Sequence, residues 1–122
     1  MTAAPIQRIA ITSEGPTLAD LVDPRFGRAG GFVVIDLQTM ATTYVDNGSS
    51  QVLAQGAGIQ AAENLIKAGA QALLTGHVGP KAWAALRATG VKVVQGVENM
   101  TVGEAVAKFQ AGAFAFSNAP SH

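Results

Sequence analysis

The sequence predicts an α/β domain: a mixed sheet of about five strands, including one antiparallel hairpin, with helices on both faces. Three observations carry that expectation. Short apolar runs rich in β-branched residues alternate with stretches whose apolar residues recur every three or four positions. Each helical stretch stops at a glycine, at Gly69, Gly90 or Gly112, the residue a left-handed helix end favours. Further glycines gather beside strands or ahead of helices, in Phe26-Gly27-Arg28, Gly56-Ala57-Gly58 and Gly76-His77-Val78-Gly79-Pro80.

Residues 6–11 form the first strand, at the centre of the sheet. Residues 13–30 make a long polar connection with Gly15, Pro16, Asp23 and Pro24; that length in a small domain points to function or to a short helical turn. Residues 31–37 read as a buried strand and residues 41–45 as its hairpin partner. Asp46-Asn47-Gly48-Ser49-Ser50 has strong turn chemistry. The helix that follows places Ile59, Ala62, Leu65 and Ile66 on one face. Residues 70–75 are a short strand, and Pro80 suits the first position of a second helix with Ala82, Trp83 and Leu86 inward. Residues 91–95 are the last strand. Thr101 and Glu104 have the spacing of a capping box, ahead of a stripe of Val102, Ala105, Val106 and Phe109. Residues 113–122 read as a frayed tail, so the expected unit is a single domain, 1–122, with its core at about 6–112.

Helix–strand alternation in the second half implies parallel pairing, and ligands of such sheets sit outside the carboxyl ends of the parallel strands. All three glycine clusters can be placed on that edge. Bare backbone and helix starts there suit a bulky anion.

Composition narrows the chemistry. Formal net charge is zero, so no global field favours nucleic acid or an anionic membrane, and any anion site is local. With no cysteine the 122-residue chain has no disulfide, thiolate zinc site or cysteine-ligated iron–sulfur cluster. Met1-Thr2-Ala3-Ala4-Pro5 lacks the basic and apolar regions of a signal peptide, and no apolar run reaches membrane-spanning length. The expectation is a cytoplasmic monomer.

Gly56-Ala57-Gly58 is no dinucleotide fingerprint, since it follows a loop and lacks a third glycine and a downstream ribose carboxylate. A tight start to a helix explains it equally well. His77 stands between glycines at the expected sheet edge, where imidazole can bind a soft metal, donate to an anion or cap a loop. Arg25 and Lys81 read as ordinary solubilising charge, whereas Arg28, among glycines and beside an exposed-looking aromatic, has the planar fork to clamp an anion. Trp83 and Met100 read as packing residues. Asp36, Asp46 and Glu63 fall on separate elements and form no acid–base pair.

Pro24-Arg25-Phe26-Gly27-Arg28-Ala29, Gly56-Ala57-Gly58-Ile59-Gln60-Ala61-Ala62 and Gly76-His77-Val78-Gly79-Pro80-Lys81-Ala82, in that order, resemble the motifs of the dinitrogenase iron–molybdenum cofactor family, with its NifX-like and NifB C-terminal-like members. The resemblance implies a fold similar to ribonuclease H, with a mixed five-stranded sheet. It also implies proteins that carry or insert metal–sulfur cofactors, meet delivery or regulatory partners and are not themselves enzymes. The likeness is greatest to members that hold a molybdenum–copper sulfide cluster without covalent bonds; other iron–molybdenum–sulfur clusters are the alternatives. Such an anion brings its own sulfide ligands, so a chain without cysteine needs to offer only backbone donors, local positive charge and apolar walls. Carried over, the site comprises Phe26, Gly27, Arg28, Gly56, Ala57, Gly58, His77, Val78 and Gly79, with no residue assigned as a direct metal ligand.

Two rival readings come from other classes. A metal-dependent hydrolase or nuclease needs several converging carboxylates, and residues 6–11 contain none. A regulatory interaction module would use the cluster as a signal to a protein partner.

Overall fold

The computed structural model describes residues 6–48 and 56–120. Ser49 and Ser50 of the expected turn, the N-terminal residues 1–5 and the final residues 121–122 lie outside the described residues. The strands are β1 (Arg8–Ser13), β2 (Gly31–Asp36), β3 (Thr42–Asp46), β4 (Ala72–Leu74) and β5 (Lys92–Val94). The helices among the described residues are α1 (Ala57–Lys67), α2 (Pro80–Ala88) and α3 (Val102–Gln110), with a 3-10 turn at Phe26–Arg28. The sheet runs in the order β3-β2-β1-β4-β5. β1 pairs antiparallel with β2 and parallel with β4, β2 pairs antiparallel with β3, and β4 pairs parallel with β5.

Alternation along the strands makes two cores. Ile9, Ile11, Val33, Ile35, Leu74 and Val94 face α3, which contributes Val102, Ala105 and Val106. Ala10, Phe32, Val34, Leu73 and Val93 face α1 and α2, which contribute Ala61, Ala62, Leu65, Ala82 and Leu86. A strand buried on both sides must be apolar at consecutive positions. That is why the Ile-Ala-Ile of β1 becomes the central strand and the polar Thr-Thr-Tyr-Val-Asp of β3 an edge. No helix among the described residues is long and apolar enough to cross a membrane.

Several expected details change. Regular pairing covers Arg8–Ser13 rather than residues 6–11, and it shrinks the runs 70–75 and 91–95 to Ala72–Leu74 and Lys92–Val94. The flanking residues of β4 bond across the ladder's ends instead, Gln71 N–H to the Arg8 carbonyl and Thr75 N–H to the Val94 carbonyl. On α1 the buried residues are Ala57, Ala61, Ala62 and Leu65, while Ile59 is 39% exposed. Small residues face inward because α1 lies close to α2: a Cβ on Gly58 would sit 3.0 Å from the Ala82 Cβ. Trp83 is only half buried, with the Arg87 guanidinium 5.8 Å from its ring centroid.

The described part of the tail runs beside the edge strand β5, where Ser117 N–H donates to the Val93 carbonyl at 2.7 Å. Phe114 packs against the α3 core, and Phe116 meets Phe109 edge-on with centroids 6.3 Å apart. An edge strand offers unpaired backbone groups, and the tail supplies partners for some of them.

The capping box forms as expected. Thr101 Oγ1 accepts the Glu104 N–H at 3.1 Å, and Glu104 Oε1 accepts the Thr101 N–H at 3.0 Å. The Thr101 backbone N–H first, then its hydroxyl, hold the Glu104 carboxyl below the usual carboxylate value. A lowered folded-state value means that the unfolded chain binds the proton more tightly. The stabilisation is therefore complete above the ordinary carboxylate value and is lost as pH falls through the lower folded one. Glu104→Gln is expected to flatten the acid limb of a stability profile, measured as urea midpoints between roughly pH 6 and pH 3. An unchanged limb would show that other carboxylates set it.

Candidate functional site

Three chain segments are laced together at the carboxyl ends of β1, β4 and β5. His77 N–H donates to the Pro24 carbonyl at 2.8 Å, and Phe26 N–H reaches the His77 carbonyl at 3.4 Å. On the other side, Gly96 N–H donates to the Gly76 carbonyl at 2.9 Å and Val97 N–H to the Thr75 carbonyl at 3.1 Å. Buried hydroxyls fasten the first segment to the sheet. Thr12 Oγ1 lies in hydrogen-bond reach of the Asp23 carbonyl and 2.8 Å from Thr75 Oγ1. A carbonyl only accepts, so Thr12 donates to Asp23 and Thr75 donates to Thr12. The buried Asp23 carboxylate accepts the Arg25 N–H at 3.0 Å and pairs with its guanidinium, Nε to Oδ1, at 3.3 Å. Arg25 thus turns back on its own loop, and its exposed side of the pair adds little stability.

The turn Phe26–Arg28 follows directly. Phe26 is 1% exposed and stacks on Phe32 with centroids 5.8 Å apart. The exposed-looking aromatic of the sequence is in fact a core residue, because the loop that carries it is pinned to the sheet on both sides. Gly27 touches the start of α1: a Cβ there would lie 3.1 Å from the Gly58 nitrogen and 3.2 Å from its Cα. Gly56, the N-cap of α1, has φ of +79°, a left-handed conformation that favours glycine.

The result is a cavity of about 500 Å³ between the turn and the first turns of α1 and α2, a volume ordinary for a ligand site. Phe26, Gly27 and Arg28 line it from the turn, Gly56, Ala57 and Gly58 from α1, and Gly79, Pro80, Lys81 and Ala82 from α2. Both N-caps are glycines without a side-chain cap, and neither helix has an acidic residue in its first turn. The positive ends of two helix dipoles and the cations of Arg28 and Lys81 therefore meet there, against a lining with no carboxylate among the described residues. Phe26, Ala57, Pro80 and Ala82 make the walls apolar.

His77 and Val78 stand outside this lining. The segment carrying them is laced on both sides and extended, so successive side chains face opposite ways. Val78 is fully buried in the α1/α2 core, and His77 is exposed. Pro80, Lys81 and Ala82 were not among the expected site residues. The signal for them was their place in the first turn after Gly79, the same position that singled out Ala57 and Gly58 after Gly56.

The family model described as dinitrogenase iron-molybdenum cofactor matches residues 7–112. The apo form of the orange protein from Desulfovibrio gigas is a solved structure with 57% identity and a TM-score of 0.94, and the match covers 98% of this chain and 100% of that one. The NMR structure of a putative NifB protein from Thermotoga has 32% identity and a TM-score of 0.82, over 96% of this chain and 98% of that one. No curated relative matches the chain. The chain belongs to the dinitrogenase iron-molybdenum cofactor family.

Proposed function

We propose that this protein is a carrier that holds an anionic metal–sulfur cluster without covalent bonds, in the cavity between the Phe26–Arg28 turn and the starts of α1 and α2. The observation that carries the reading is the convergence of two glycine-capped helix N-termini with Arg28 and Lys81 on one apolar-walled cavity. The donor set suits a cluster better than a bare ion. The chain has no cysteine, and no group of three His, Cys, Asp or Glu residues able to hold a metal ion occurs among the described residues. A cluster that brings its own sulfide needs no protein thiolate. It needs compensation of negative charge and exclusion of water, which helix dipoles, cations and apolar walls supply. Molybdenum–copper sulfide is the cargo that the family resemblance implies. A carrier requires no acid–base pair, and this cavity's lining offers none.

The test is anaerobic incubation with tetrathiomolybdate and copper(I), followed by gel filtration and analysis of molybdenum, copper and sulfide in the protein fraction. Retention of both metals, with a charge-transfer spectrum absent from either component alone, is expected. Elution of the metals with the salt would overturn the reading.

Charge gives a second expectation. Arg28→Ala should weaken retention by about 1.5 kcal/mol, roughly tenfold, the lower end for a charge-assisted contact because the side chain is exposed. Arg8→Ala, at the opposite end of β1, and His77→Asn, outside the lining, should change it by no more than about 0.5 kcal/mol. Equal losses from all three would mean nonspecific attraction rather than a site.

A further inference from the structure

We propose that Gln95 is a positioning residue for this cavity and that the C-terminal segment around Ser117–Ala119 holds it in place, so the tail controls how firmly the cavity keeps its occupant. The inference rests on the carrier reading for its consequence and on hydrogen bonding for its mechanism. Gln95 follows β5, outside the cavity lining. Its Oε1 accepts the Val78 N–H at 2.9 Å, while its Nε2 donates to the Ala119 carbonyl at 2.8 Å. One side-chain amide therefore ties the loop before α2 to the tail.

The tail is itself anchored beside that amide. Ser117 N–H donates to the Val93 carbonyl at 2.7 Å, and the Gln95 N–H donates to Ser117 Oγ at 3.1 Å. Both ends of the Gln95 side chain thus have partners, and the tail holds its amide nitrogen.

The loop is the sensitive link. Val78 is fully buried, so its N–H needs a protein acceptor when water is excluded. One residue later comes Gly79, the N-cap of α2, followed by Pro80 and Lys81 on the cavity. Losing the Gln95 acceptor leaves a buried donor unsatisfied, and the loop relieves that by moving the Val78 amide toward water. Such a movement carries the start of α2 away from the turn and from α1.

Variants that act on each link separate the steps. Ser117→Pro removes the N–H and the hydroxyl that anchor the tail but leaves Gln95 intact. Gln95→Glu keeps an acceptor for Val78 and sets a carboxylate against the Ala119 carbonyl. Gln95→Ala removes both contacts. In the cluster-free protein, amide exchange at Val78 is expected to rise about tenfold in Ser117→Pro and Gln95→Ala, the scale of one lost hydrogen bond. It should rise less in Gln95→Glu, and exchange at Ile11 and Leu73 in the central strands should stay at the wild-type rate. After loading with tetrathiomolybdate and copper(I), Ser117→Pro should lose the metals several-fold faster than wild type. Unchanged Val78 exchange in Ser117→Pro overturns the proposal. So does faster Val78 exchange with unchanged metal loss. Wild-type protein that takes up no cluster, while Val78 exchange still follows Ser117→Pro, overturns the carrier reading and leaves the tail-to-loop coupling standing.

Discussion

Phe26→Ala is expected to lower the unfolding free energy by about 3–5 kcal/mol, the range for deleting a buried aromatic side chain. Phe26 is 1% exposed, so the substitution removes nearly all of its burial, and the ring stack on Phe32 goes with it. The space left behind cannot collapse easily. The loop on one side is held by the Thr12–Asp23 and His77–Pro24 hydrogen bonds, and β2 lies on the other. The hole also opens toward the candidate cavity, whose wall Phe26 helps to form. Urea unfolding of the variant against Phe116→Ala provides the check. Phe116 is 41% exposed and makes one edge-on ring contact, so its loss should cost about 1 kcal/mol or less. Equal costs at the two positions would mean that Phe26 is not the core element its burial indicates.

Gly76→Ala should be the next most damaging single change, at about 2–3 kcal/mol for overpacking a tight site. A Cβ at residue 76 would lie 2.5 Å from the Pro24 carbonyl oxygen and 2.7 Å from its Cα. Those are backbone atoms, and the segment that contains them accepts the His77 N–H. Neither side can retreat without breaking the lacing that sets the Phe26–Arg28 turn. Gly31→Ala is the informative comparison. There a Cβ would fall 2.3 Å from the Tyr44 ring, a closer overlap, but with the far end of an exposed side chain that can swing outward. Thermal unfolding should therefore show Gly76→Ala well below Gly31→Ala. The reverse order would show that flexibility of the neighbour does not decide the cost.

The same contrast between local and distant constraints explains how much of the site was readable. Gly56 and Gly79 were legible as helix starts because the following residues had helical spacing and Pro80 fitted a first position. Arg28 was legible as a cation among glycines, and it does line the cavity. Val78 and His77 were drawn in by the same glycine-rich run, yet the direction in which each points depends on lacing to residues 24–26 and 94–97. Gln95 carried no signal at all. Its role exists only because the tail returns alongside β5, bringing Ala119 within reach of its amide.

Local sequence was enough to set the α/β class, the central place of the first strand, the glycine helix stops and the Thr101–Glu104 box. The stops are confirmed by φ of +77°, +80° and +77° at Gly69, Gly90 and Gly112, and the box by its reciprocal hydrogen bonds. Each of these acts over a few residues through backbone conformation, hydrogen bonding or alternation, so a short window of sequence contains the whole cause. Long-range packing was needed to turn Ile59 outward while Ala61 and Ala62 face in, to place Phe26 in the core, and to bind residues 117–119 to β5 and Gln95. It alone brought the Phe26–Arg28 turn and the starts of α1 and α2 around one cavity. Those outcomes depend on close approach between elements far apart in the chain, where packing volume and the satisfaction of buried polar groups outweigh local preference.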